Sequence, residues 1–119
     1  MRFDQYTVTL LVLRPDAPAL TEDEANALQD RHLHHNAMHY EEGRIVAVGP
    51  LAAQDDPRLR GFTIWSVDAD AARELAQQDP AVVEGKFEIQ VMTWRVPAGT
   101  LAFGKARVPH SIAEARSAD

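Results

Sequence analysis

The order of six predicted elements constrains this chain more than any other feature. Between Gln5 and Val96, hydrophobic periodicity predicts a strand, a helix, two strands, a helix and a strand. This β-α-β-β-α-β order is typical of the ferredoxin-like fold, a four-stranded antiparallel sheet with both helices on one face. The sequence therefore predicts an α+β sandwich.

The four predicted strands are short segments that alternate apolar and polar residues or are rich in β-branched ones. They cover Gln5–Arg14, Arg44–Gly49, Gly61–Val67 and Phe87–Val96. A polar connection containing Gln-Asp-Asp-Pro-Arg separates the second and third strands, as in an exposed loop. These two strands are therefore expected to form a hairpin.

Capping signals set the bounds of the two helices. Thr21 and Glu24 have the spacing of a capping box, which predicts a first helix over Glu22–Glu42 that stops at Gly43. Asp68 can cap a second helix over Ala69–Gln78. Asp79-Pro80 then ends that helix, and one more turn is predicted over 81–84.

The sheet face away from the helices is predicted to be apolar. If the strand alternation holds, it carries Leu11, Leu13, Trp65, Met92 and Trp94. Such a surface is too hydrophobic to leave in water, so the chain is expected to form a homodimer through it.

The chain divides into one domain and an extension. Residues 1–96 hold all six elements, and residues 97–119 form a C-terminal tail with one short helical possibility over Ser111–Ser117. A tail of this kind is either disordered, packed on its own domain or crossed over to a partner subunit.

Composition excludes several classes of protein. A net charge of −6 argues against a nucleic-acid-binding protein, and an anionic ligand would need local positive charge. The chain has no cysteine, so disulfides and thiolate catalysis are excluded. No apolar run approaches the 18 or so residues of a membrane span, and the first residues lack the pattern of a signal peptide. We therefore expect a cytoplasmic protein without membrane contact.

Four of the five histidines lie in the predicted first helix. At about 100° per residue, His32, His35 and His39 share an arc of roughly 60°, whereas His34 points away toward solvent. His32 and His39 are about 10.5 Å apart along the axis, too far for all three to bind one ion. We expect no metal and no cofactor, although two histidines completed by a carboxylate such as Asp79 remain an alternative.

Four stretches together resemble the YciI-like (YCII-related) family of the dimeric α+β barrel superfamily, over roughly Gln5 to Val96. They are His32-Leu33 eleven residues ahead of Gly43-Arg44, the run Ile-Val-Ala-Val-Gly-Pro-Leu from Ile45 to Leu51, Asp79-Pro80 followed by Gly85, and a last strand ending near Trp94. Each stretch is weak alone, but their order and spacing make the match fairly specific.

The resemblance implies a dimeric ferredoxin-like subunit with an active site centred on a histidine and an aspartate. The matching positions are His32 and Asp79. Most members have no known function, and some are associated with lyase-type chemistry such as dehydrochlorination of aromatic intermediates. Asp79 also has a structural interpretation, because an aspartate before proline is a good N-cap, and one carboxylate can serve both roles.

These observations predict a lyase or isomerase that acts on a compact organic substrate by proton transfer. His32 is the expected acid or base, and Asp79 is expected to orient it. The residues expected to contact the substrate are His35, Asn36, His39, Gly49 and Pro50. The alternative is a non-catalytic dimeric module that binds a ligand or a partner protein.

Overall fold

A computed structural model describes residues 1–117 of the chain. Residues 118 and 119, the end of the predicted extension, lie outside the described part. The elements in chain order are β1 Phe3–Leu13, α1 Glu22–Glu41, β2 Ile45–Pro50, β3 Leu59–Trp65, α2 Ala69–Gln77, α3 Pro80–Val83, β4 Phe87–Pro97 and α4 Ile112–Ala115.

The four strands form one antiparallel sheet in the order β2-β3-β1-β4. Strands β2 and β3 pair as the predicted hairpin, and β1 pairs with β4 along its whole length. Helix α1 packs beside β2, while α2 packs on β1 and β4. The predicted α+β ferredoxin-like arrangement is confirmed.

The sheet register corrects the predicted assignment of side chains to the two faces. Trp65 pairs with Thr7 and is only 2% exposed, packed with Ala72 and Ala76 of α2 on the helix side. Leu11 and Leu13 lie on the same side, because they alternate with Thr7 along β1. The prediction for Trp65, Leu11 and Leu13 was wrong because alternation shows which residues of one strand share a face, not which face of the sheet that is.

The outward prediction holds for Met92 and Trp94. They pair with Val8 and Tyr6 of β1, the set that faces away from the helices. Both remain more than one third exposed, Met92 at 39% and Trp94 at 38%. This face therefore carries large apolar side chains in contact with solvent.

The core between sheet and helices is centred on Ile45, Trp65, Ala72 and Ala76. The small alanine side chains let α2 lie close to the sheet. The indole Nε1 of Trp65 donates to Thr9 Oγ1 at 2.8 Å, so its buried polar atom has a partner.

Helix α1 begins where the capping box predicts. Glu24 N donates to Thr21 Oγ1, and Thr21 N donates to Glu24 Oε1, both at 3.1 Å. The helix ends at Glu41, one residue earlier than predicted, and Gly43 follows with a φ of 81°. A glycine suits this left-handed turn because it has no Cβ to clash with the backbone.

The C-terminal extension packs on its own domain. Tyr40 Oη accepts from Ala106 N at 2.9 Å, and Ile112 N donates to Asp30 Oδ1 at 2.8 Å. Both acceptors belong to α1, so α4 is held beside that helix. Within residues 1–117, no helix is both long enough and apolar enough to cross a bilayer.

Candidate active site

His32 and Asp79 meet at the contact between α1 and α3. His32 Nδ1 lies 2.7 Å from Asp79 Oδ2. The side chain of His32 is 12% exposed and that of Asp79 only 4% exposed, so little water competes for their hydrogen bond. The structure thus brings together two side chains that are 47 residues apart in the chain.

Asp79 is fixed by its place in the local backbone. It precedes Pro80, the first residue of α3, and its Oδ1 accepts from Ala81 N at 2.9 Å. One carboxylate oxygen therefore caps α3 while the other contacts His32. The cap determines where the second oxygen points, because both oxygens belong to one planar group.

This arrangement selects one tautomer of a neutral His32. An ionised carboxylate can only accept hydrogen bonds, so His32 Nδ1 must donate to Asp79. Nε2 then carries the lone pair of the ring. Asn36 Nδ2 lies 3.4 Å from Nε2, and the Phe87 ring lies 6.5 Å from the imidazole between centroids. The nitrogen able to accept a proton is thus turned away from Asp79.

His32 lines a cavity of about 550 Å³ between α1, the hairpin and the C-terminal extension. This volume is in the usual range for a small-molecule site. Asn36, Gly49 and Pro50, which the sequence places at a substrate site, also line it. Its apolar wall comes from several elements and includes Leu11, Leu33, Val48, Phe62, Phe87, Val108 and Ile112.

His35 does not line the cavity that contains His32. It lines a separate open depression of about 510 Å³ together with His34, Pro80 and His110. Its Nε2 is buried without a hydrogen-bond partner among the described residues. Burial lowers the pKa of His35 to about 4, so its ring is neutral at pH 7.

His39 is also outside the cavity. It is 8% exposed, its ring lies 4.5 Å from that of His35, and it contacts Trp65 with 5.8 Å between centroids. Arg44 Nε donates to His39 Nδ1 at 2.9 Å. Burial, helped by the Arg44 charge, lowers the pKa of His39. His39 is therefore a hydrogen-bonded core residue.

The histidines of α1 do not converge on a common position for a metal ion. Among residues 1–117, no group of three or more His, Asp or Glu side chains is arranged to hold an ion. His34 is exposed as expected, but its Nδ1 lies 2.9 Å from His110 Nδ1, and His110 Nε2 lies 2.6 Å from Glu41 Oε2. His34 thus contacts the C-terminal extension through His110.

The sequence did not indicate the part of the cavity built by the extension. Val108, Pro109 and Ile112 line the cavity, as does Arg116 after α4. A signal for α4 was present in the Ser-x-x-Glu spacing of Ser111 and Glu114, and Glu114 N does donate to Ser111 Oγ at 3.1 Å. This spacing locates a helix but does not reveal its packing partner.

Comparison with known proteins assigns most of the chain to one family. The model of the YCII-related domain matches residues 8–95. Protein YciI of Escherichia coli O6:H1 is 35% identical over 80 residues, covering 56% of this chain and 82% of that protein. Protein YciI of Shigella flexneri matches with the same figures.

One solved structure is also similar. It is the 5-chloro-2-hydroxyhydroquinone dehydrochlorinase of Burkholderia phenoliruptrix AC1100 in complex with 2,5-dihydroxybenzoquinone. The match has 19% identity and a TM-score of 0.44, and covers 79% of this chain and 95% of that one.

Proposed function

The chain belongs to the YCII-related family, and from this premise we propose that it is a small-molecule enzyme of the lyase or isomerase type. His32 accepts a proton from a carbon of a compact organic substrate and returns it, or passes it on, later in the reaction. Asp79 orients His32 and stabilises the imidazolium that forms.

The observation that carries the proposal is the double use of the Asp79 carboxylate. Oδ1 is held by the backbone of α3 and Oδ2 by His32 Nδ1, at 2.9 and 2.7 Å. An imidazole held in this way loses little further entropy when it reacts. His32, which carries this lone pair on Nε2, lines a cavity large enough for a small organic molecule.

The reaction class follows from the available groups. An oriented imidazole exchanges protons near neutral pH, and positioned acid-base catalysis contributes roughly 10²- to 10⁴-fold to a rate. Nucleophilic catalysis by a thiolate is excluded because the chain has no cysteine. Elimination and isomerisation both begin by removing a proton from carbon, which a single oriented base can do.

The test is solvent isotope exchange. A library of compact organic acids and phenols is incubated with the protein in D₂O, and loss of carbon-bound protons is followed by NMR. For any compound that exchanges, His32→Gln should reduce the exchange rate by about 10²- to 10⁴-fold while the compound still binds. His34→Gln is the matched control, because His34 is on the same helix but does not line the cavity.

Two results would contradict the proposal. If His32→Gln exchanges carbon-bound protons at the wild-type rate, His32 does not take part in the reaction. Compounds that bind the cavity tightly but exchange in neither protein would favour the alternative function, a non-catalytic ligand-binding module.

We also propose that the chain acts as a homodimer. The outward sheet face carries Met92 and Trp94, both more than one third exposed, beside Tyr6. A second copy covering this face would remove their apolar surface from water. Light scattering after gel filtration should give the mass of two chains, and Trp94→Lys should give that of one. A wild-type monomer at micromolar concentration would exclude the dimer.

A further inference from the structure

The cavity around His32 differs in charge from the rest of the chain. The whole chain has 18 acidic and 12 basic residues, yet no Asp or Glu within residues 1–117 lines the cavity. In the part of the chain that the structure describes, the two fully charged residues on the cavity wall are Arg60 and Arg116. A positive site in an acidic chain supplies the local charge that an anionic ligand needs.

Arg60 is anchored without being neutralised. It lies in β3, and its Nε donates to the Pro57 carbonyl oxygen at 2.5 Å. No carboxylate within residues 1–117 forms an ion pair with it. Arg58, two residues earlier, instead pairs with Asp56 at 2.8 Å. The guanidinium of Arg60 therefore keeps its terminal donors for another partner.

Arg116 is brought to the cavity by the C-terminal extension. It follows directly after α4, whose first residue Ile112 donates its N–H to Asp30 Oδ1 at 2.8 Å. A second contact joins His110 Nε2 to Glu41 Oε2 at 2.6 Å. Arg116 also has no ion pair within residues 1–117. The family match ends at residue 95, so this arginine lies outside the matched residues.

The remaining polar groups on the cavity wall are compatible with an organic anion. Asn26, Gln29 and Asn36 of α1 line it with amide side chains, which donate hydrogen bonds without adding negative charge. Both arginines are exposed, so they lie at the solvent side of the cavity, whereas its other walls are largely apolar.

We propose that the ligand of this cavity is a compact organic carboxylate whose negative group is bound by Arg60 and Arg116. The planar guanidinium fork matches a carboxylate with two parallel hydrogen bonds. This inference rests on the proposed function in one respect, because it takes the bound carboxylate to be the substrate on which His32 acts. Arg116 makes the C-terminal extension a determinant of ligand specificity.

The test compares benzoate with benzamide, its neutral analogue of nearly the same shape, by NMR titration of ¹⁵N-labelled full-length protein at constant ionic strength. Benzoate should bind at least tenfold more tightly and shift the Nε–H signals of Arg60 and Arg116. Arg60→Gln and Arg116→Gln should each weaken benzoate binding about tenfold, the expected loss for one charge-assisted pair. Binding of benzamide should change less than twofold.

Arg58→Gln is the matched control for surface charge, since Arg58 is exposed, paired with Asp56 and absent from the cavity wall. It should leave benzoate binding unchanged. Equal binding of benzoate and benzamide, or an equal loss in Arg58→Gln, would overturn the proposal. His32→Gln should still bind benzoate, so a failure of proton transfer and a failure of anion binding are separate results.

Discussion

Replacing Asp79 tests whether one carboxylate both caps α3 and holds His32. Asp79→Ala removes the cap on Ala81 N, which costs about 1 kcal/mol. It also leaves His32 Nδ1, which is largely buried, without its partner, at a cost of roughly 1–3 kcal/mol. The free energy of unfolding should therefore fall by about 2–4 kcal/mol.

Asp79→Asn should be much milder. The asparagine Oδ1 can still accept from Ala81 N, and its Nδ2 can donate to His32 Nδ1. Only the extra strength of the charge-assisted bond is lost, about 1 kcal/mol. The histidine is then forced into the other tautomer, with its proton on Nε2, so the protein should fold well and lose proton-transfer activity.

Asp68→Ala is the matched control for the cap alone. Asp68 caps α2 by accepting from Ala71 N at 2.9 Å and is exposed. Its removal should cost about 1 kcal/mol. Equilibrium urea unfolding measures all three variants; with an m value of about 1.5 kcal/mol/M, the midpoint should fall by roughly 2 M in Asp79→Ala. A loss no larger than that of Asp68→Ala would refute the second role of Asp79.

Two further predictions concern stability. The pKa of His35 is lowered to about 4 in the folded state, so below pH 6.5 the unfolded chain binds more protons and stability falls as pH decreases toward 4. His35 is only partly buried, so between pH 7 and 5 this should cost about 1 kcal/mol. His35→Phe should reduce that loss in urea unfolding, and an unchanged pH dependence would contradict the prediction. Thr9→Val should leave the buried Trp65 Nε1 unpaired and destabilise by about 1–3 kcal/mol, whereas a neutral effect in thermal unfolding would show that this bond contributes nothing.

The fold was largely predictable because its signals are local. The capping box at Thr21 and the proline after Asp79 both act within one helical turn, and the structure has helix starts at these places. The faces of the sheet were not predictable in the same way. Strand β3 has large apolar residues on both sides, Phe62 and Ile64 on one and Trp65 on the other, so only packing against α2 determines that Trp65 points inward.

The candidate site was predictable only in part. The family resemblance pointed to His32 and Asp79, and the structure has them in contact. Helical periodicity predicted that His35 and His39 lie on the same side of α1 as His32. In the structure His39 packs on Trp65 of the sheet, because residues within one arc of a helix still point in somewhat different directions around its axis. Arg60 and Arg116 line one cavity because the extension packs on the domain, and such tertiary packing leaves no local pattern in the sequence.

The tautomer of His32 is the most direct test of the proposed function, because the reaction needs an unprotonated Nε2. Long-range ¹H–¹⁵N correlation spectra of the imidazole nitrogens, recorded at a pH at which the ring is neutral, separate the two tautomers. We expect a proton on Nδ1 and an unprotonated Nε2 in the wild type, and the reverse in Asp79→Asn. A neutral His32 with its proton on Nε2 in the wild type would contradict it.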